Sequence, residues 1–123
     1  MLKVIEDRKR EQKARYEVAR RYATRLSSLC GKVTAIVYGS TAIGDFKDWS
    51  AIDIIIVAER LPADPMERLD FLYNLSEGLI EPKGFTAEEF RHIMRTPFGR
   101  LLEKEGVVIT DELNILCPFR EAF

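Results

Sequence analysis

Two short β-branched runs, Val33–Tyr38 and residues 52–57, limit what this chain can fold into more than any other feature. Each is too short for a stable helix and too rich in Val and Ile to favour one, because a branched Cβ loses rotamer freedom against a helical turn and packs well on a pleated sheet. Their near-continuous apolar character marks strands buried on both faces. The two runs are therefore expected to lie side by side at the centre of a sheet. A single charge, Asp53, interrupts the second run. A carboxylate in such a strand is costly unless it faces a cleft, a cation or a partner, so Asp53 marks either a functional opening or a structural charge at a strand end.

Gly39 and Ser40 close the first run, and Gly44 and Ser50 lie in the connection to the second. Gly39 has no side chain to hold its backbone away from a phosphate. Ser40 opens a helical turn, where its hydroxyl and unpaired N–H groups can meet an anion. Positions i and i+2 of a strand share a face, so carboxylates at 51 and 53 would converge on one magnesium ion beside that cradle. Position 51 is an alanine, and one ligand of such a pair is missing.

A strand ending in Gly39-Ser40, a turn containing Gly44, and Ser50-Ala51-x-Asp53 entering the next strand resembles the core of the polymerase-β-like nucleotidyltransferases, above all their minimal, single-domain members. The family pattern there is Ser-Asp-x-Asp, and Ala51 replaces its first aspartate. The resemblance implies an α/β (α+β) fold, a small mixed sheet of about four strands flanked by helices. It implies transfer of a nucleoside monophosphate from a Mg²⁺-bound nucleoside triphosphate to a hydroxyl, with Gly39, Ser40 and Ser50 binding nucleotide and Asp53 holding metal. A third carboxylate sits on the following strand in that family, and Glu81 fits the position; otherwise Glu81 is an exposed strand charge near Lys83. With Ala51 the activity is expected to be impaired. The alternative is a degenerate nucleotide-binding or partner-binding module. Relatives of this kind are often paired with a small helical protein of the HEPN type in toxin and antitoxin modules.

The remaining chain reads as one domain over residues 1–123, with 46% hydrophobic and 32% charged residues. No run approaches the ~18 apolar residues of a membrane span, and the N-terminus lacks the apolar core of a signal peptide, so a cytoplasmic protein is expected. Charge is uneven. Residues 1–25 hold nine Lys or Arg against four Asp or Glu within a total of −1. A Gly- and Pro-free helix is expected over 2–29, buried through Val18, Tyr22, Leu26 and Leu29 and ended by Gly31. Its basic half, with Arg8, Lys9, Arg10, Lys13 and Arg15, is expected to be a solvated face laced by pairs such as Glu11 with Arg15; contact with a nucleic-acid backbone is the other reading.

Trp49 is expected to lie as a lid over the sheet edge, with a base-stacking platform as the other reading. Asp64-Pro65 should start a helix reaching about 77, buried through Met66, Leu69, Phe71, Leu72 and Leu75, and Thr86 with Glu89 should cap another reaching 94. A third strand at 79–85, an edge strand because of Pro82, and a fourth at 107–110 complete the sheet. Cys30 and Cys117 are expected to be reduced packing residues, and the apolar tail through Leu113, Ile115, Leu116, Phe119 and Phe123 to fold back or meet another subunit.

Overall fold

All six residues of β1 (Val33–Tyr38) are buried, because the strand runs down the middle of the sheet with helices over both faces. The computed structural model describes residues 2–116 and the backbone of 120–121, with side chains from 3 to 116. Before β1 comes α1 (Leu2–Cys30); after it come α2 (Gly39–Ile43), β2 (Ile52–Ala58), α3 (Pro65–Asn74), β3 (Ile80–Phe85), α4 (Ala87–Ile93), α5 (Pro97–Glu105), β4 (Val107–Asp111) and β5 (Arg120–Glu121). The strand order is β3-β2-β1-β4-β5. β1 is antiparallel to both neighbours, whereas β3 is parallel to β2 and needs α3 as its crossover. This is the mixed sheet the sequence predicts, extended by the two-residue β5. Pro82 does lie on an edge strand.

Alternation along β1 divides the core. Val33, Ala35 and Val37 face α1 and α3, together with Tyr22, Leu26 and Leu72. Ile36 and Tyr38 face α4, α5 and the tail, together with Phe90, Leu102 and Leu116. Among the described residues no helix is long and apolar enough to cross a membrane.

Most expected boundaries hold because their chemistry is local. Gly31 ends α1 at φ +79°. Asp64 accepts from the Met66 and Glu67 amides at 3.1 and 3.0 Å, and Thr86 and Glu89 make both halves of a capping box. Faces were harder to read. Leu29 is 53% exposed, since Cys30, one position on, takes the inner slot; Met66 and Leu69 point outward, and α3 stops at Asn74, leaving Leu72 as its buried anchor. Cys30 is buried and free, and burial pushes its thiol pKa up. The tail folds back as far as Leu116, whose amide, with that of Ile115, donates to the Asp111 carboxylate at 3.0 Å. Cys117, Phe119 and Phe123 lie outside the described residues.

The basic half of α1 is corrected only at Arg15: Arg8, Lys9, Arg10 and Lys13 are exposed, and Arg10 pairs with Asp7 one turn back at 3.5 Å. Arg15 does not turn to Glu11; its guanidinium donates to the carbonyls of Ser50 and Lys47, both at 2.8 Å, to that of Asp48 at 3.4 Å, and to the Thr41 hydroxyl at 3.2 Å. Arg8 donates to the Phe46 carbonyl, and Gln12 to that of Thr41 at 2.8 Å. Carbonyls in an irregular loop need donors, and a guanidinium fork supplies several at once. Between the two arginines lies the Phe46 ring, with guanidinium carbons 4.7 and 4.4 Å from its centroid. Phe46 is therefore the aromatic that packs, at 1% exposure, and Trp49, at 76%, is no lid.

This contrast gives a stability test. Phe46→Ala is expected to cost about 3 to 5 kcal/mol in urea unfolding, as for other buried rings. Trp49→Ala should stay within about 0.5 kcal/mol of the parent. Equal losses would mean that the loop is held by Trp49 after all.

Candidate active site

Because β1 and β2 are antiparallel, the end of one lies beside the start of the other. Tyr38 stands opposite Asp53. The parallel β3 then sets Glu81 opposite Asp53 on the other side, so that three strands bring Tyr38, Asp53 and Glu81 into one row across the sheet. All three point to the α4 and α5 side of the sheet, where Tyr38 is buried, Asp53 half-buried and Glu81 an exposed strand charge near Lys83. Ile52, entering β2, is tied to β3 by its amide, which donates to the Leu79 carbonyl at 2.8 Å.

Gly39 begins α2 directly above this row, at φ +71°. A Cβ added there would stand 2.6 Å from the Asp53 Oδ2. The missing side chain thus makes room for a carboxylate of the protein itself, a role beyond the phosphate approach anticipated from sequence. Ser40 turns its carbonyl to the amides of Gly44 and Asp45, both at 3.0 Å, closing the α2 turn. Gly44 ends α2 in the left-handed region, at φ +83°.

Ser50 sits apart from the carboxylates in its bonding. Its Oγ accepts from the Lys47 amide at 2.8 Å and its carbonyl takes the Arg15 fork, so it closes the loop before β2. Ala51, half-buried, immediately precedes β2. Asp45 and Asp48 remain on the exposed loop, and His92 is exposed on α4.

The carboxylates are close enough to disturb each other. Burial first, then the like charge and hydrogen-bonding influence of Glu81, hold Asp53 above the usual aspartate range, and the charge of Lys83 offsets part of this. Lys83 belongs to the same corner: its Nζ donates to the Tyr38 hydroxyl at 3.1 Å. That bond, opposed by burial, raises the lysine pKa. Burial raises that of Tyr38. Sequence reasoning singled out Asp53 and Glu81 but missed Tyr38 and Lys83. The signal was present, since Lys83 is two residues from Glu81 on one strand face and Tyr38 is the residue before Gly39.

A close carboxylate pair of this kind fits one hard cation, which would relieve the repulsion that raises Asp53. Among the described residues no group of three or more His, Cys, Asp or Glu is placed to hold a metal ion. Asp53 and Glu81 would be the protein's ligands, and the third place is where Ala51 stands.

A family model described as a nucleotidyltransferase domain matches residues 19–99, a stretch that takes in the second half of α1, the whole Gly39 to Asp53 region and Glu81. The fold is also that of a crystal structure from Sulfolobus solfataricus described as a candidate nucleotidyltransferase, with a TM-score of 0.62, 19% identity, and 82% of this chain and 84% of that one covered. No curated protein matches the sequence significantly.

The raised Asp53 has a pH consequence. A carboxyl whose folded pKa exceeds its unfolded value contributes stability below the unfolded pKa and loses it as pH rises through the folded one. Asp53→Asn is therefore expected to melt above the parent at pH 7, with the gap closing as the pH falls below the ordinary aspartate range. A variant less stable than the parent at pH 7 would show that Asp53 is held by favourable contacts instead.

Proposed function

Because the chain belongs to the nucleotidyltransferase domain family, we propose that the corner formed by Gly39, Ser40, Asp53 and Glu81 binds a nucleoside triphosphate and transfers its nucleoside monophosphate to a hydroxyl acceptor, at a rate held low by Ala51. The observation that carries this reading is the Asp53 carboxylate beneath a side-chain-free Gly39, with Glu81 beside it. Ser40 offers a hydroxyl and α2 a turn of backbone to the phosphates, while Arg15, bonded to Thr41 and Ser50, holds both ends of the connection in place. In the transfer, the acceptor oxygen bonds to the α-phosphorus, the bond from that phosphorus to the bridging oxygen breaks, and pyrophosphate leaves. The acceptor's proton passes to a carboxylate of the Asp53 and Glu81 pair. A divalent cation held by these two residues would supply charge neutralisation on the phosphates.

Ala51 favours a second reading on its own account. Removing one ligand from a hard-cation site weakens both affinity and orientation, and a protein that kept the cradle but lost transfer would be a nucleotide-binding module. Such a module could serve a small helical partner, as the resemblance to toxin and antitoxin pairs implies. The basic helix supports nucleic-acid contact less, since Arg8 and Arg15 are engaged with the loop. A soluble, cytoplasmic setting is part of the same proposal.

Calorimetric titration with ATP and GTP, with and without Mg²⁺, tests both. Metal-enhanced binding is expected, and Ser40→Ala should weaken it by roughly 1.5 to 3 kcal/mol, the worth of a hydrogen bond to a charged group. Absence of binding by either nucleotide would remove the proposed function. Ala51→Asp is expected to raise Mg²⁺ affinity and lift transfer from near background; an Ala51→Asp variant that binds nucleotide without gaining either would place the cation elsewhere.

A further inference from the structure

β3 carries Glu81 and Lys83 two residues apart, so a carboxylate and an ammonium leave the same face of the strand side by side. Glu81 stands opposite Asp53, and Lys83 opposite Ile55, the next residue of β2 on that face. Lys83 is exposed overall, yet its head group has fixed neighbours. Here the Nζ donates to the Tyr38 hydroxyl at 3.1 Å and lies 5.7 and 5.6 Å from the centroids of the Tyr38 and Phe98 rings. The two rings meet edge to face, with centroids 5.4 Å apart and planes at 83°. Phe98 is itself fixed by the start of α5, where Thr96 caps the helix and Pro97 fills its first turn. An aromatic corner of this kind attracts a cation through the faces of both rings.

We propose that Lys83 is the built-in counter-ion of the site: its ammonium, held by Tyr38 and Phe98 beside Asp53 and Glu81, competes with a divalent cation for those two carboxylates. The inference rests on Asp53 and Glu81 being the cation ligands of the proposed site, and not on nucleotide binding. With Ala51 at the third position, two carboxylates remain and Lys83 offsets one of their charges. Positions 81 and 83 are about 7 Å apart along the strand, and the Lys83 charge acts on Asp53, so a metal ion arriving at the pair meets that positive charge at a spacing of this order. Repulsion over that distance in a solvent-open site corresponds to about three- to tenfold in Kd. The hydroxyl and the rings matter because they keep the ammonium in place; a free lysine would swing away from the incoming ion.

Mn²⁺ alone, titrated at low ionic strength and followed by electron paramagnetic resonance, reads this directly. Lys83→Met and Lys83→Gln are expected to bind Mn²⁺ three- to tenfold more tightly than the parent, by the same Coulomb reasoning. Lys83→Arg should bind like the parent, and adding Asp53→Asn to Lys83→Met should erase the gain. The glutamine variant keeps a polar partner for Tyr38 should the methionine variant fail to fold. The inference is overturned if the neutral variants bind Mn²⁺ no more tightly than the parent, if the gain survives Asp53→Asn, or if no folded variant binds Mn²⁺ at all. A protein that binds Mn²⁺ as expected but neither ATP nor GTP would lose the proposed function and keep the counter-ion.

Discussion

β1 gives both of its edges to hydrogen bonding, one to β2 and one to β4, and both of its faces to packing. Only its C-terminal end is left open, and there the chain turns sharply at Gly39 into α2. Residues 36, 38, 53, 55, 81 and 83 owe their common face to this arrangement. A one-residue slip of β2 against β1 would move Asp53 to the face of Tyr22 and Leu26 and bury its charge among apolar side chains, so the register is enforced by the core itself. The candidate site is in this sense a by-product of the most strongly determined part of the fold.

The connection between β1 and β2 has no such internal support. Residues 44–51 form no regular element, and their carbonyls would be left to water without α1. Arg8, Gln12 and Arg15, each about one turn from the next, form a row of donors along one side of the helix that meets the loop. Phe46 fills the space between the arginines, so that cations and an aromatic ring do the packing that leucines would do elsewhere. A helix rich in charge is thereby a structural brace, and its length is explained by the reach needed to span both the sheet and the loop.

Much of this was legible in the sequence wherever the deciding chemistry is local. The runs at 33 and 52, the Asp64 and Thr86 caps and the Gly31 stop need only neighbouring residues to declare themselves. The Arg15 clamp joins residues 26 to 35 positions apart, and the Lys83 to Tyr38 bond spans 45. No periodicity or capping rule encodes such pairs. Trp49 and Phe46 show the same limit from the other side: hydrophobicity alone favours burying the larger ring, but the donors on α1 select the one whose backbone they can also reach. For Asp53 and Glu81 the motif named the residues, while their mutual perturbation and the space made by Gly39 depend on the register of three strands.

Among the described residues no buried side-chain polar atom lacks a partner, and the helix caps, strand patterns and turns agree with one another. Close approaches of a glycine to a carboxylate occur at both ends of the β1 and β2 pair, Gly31 over Glu59 and Gly39 over Asp53. What sets the Gly39 end apart is the second carboxylate: burial and the like charge of Glu81 hold Asp53 above the usual aspartate range. Two like charges brought together by strand register are a local cost that the rest of the chain does not repeat. Ala51 acts on this conflict in two directions at once. An aspartate there would add a third negative charge to two that already repel, and would destabilise the empty site; the same charge would strengthen its hold on a cation. The alanine therefore shifts the balance from binding toward stability, and Lys83 shifts it the same way, since each lowers the net negative charge that only a bound ion could otherwise offset.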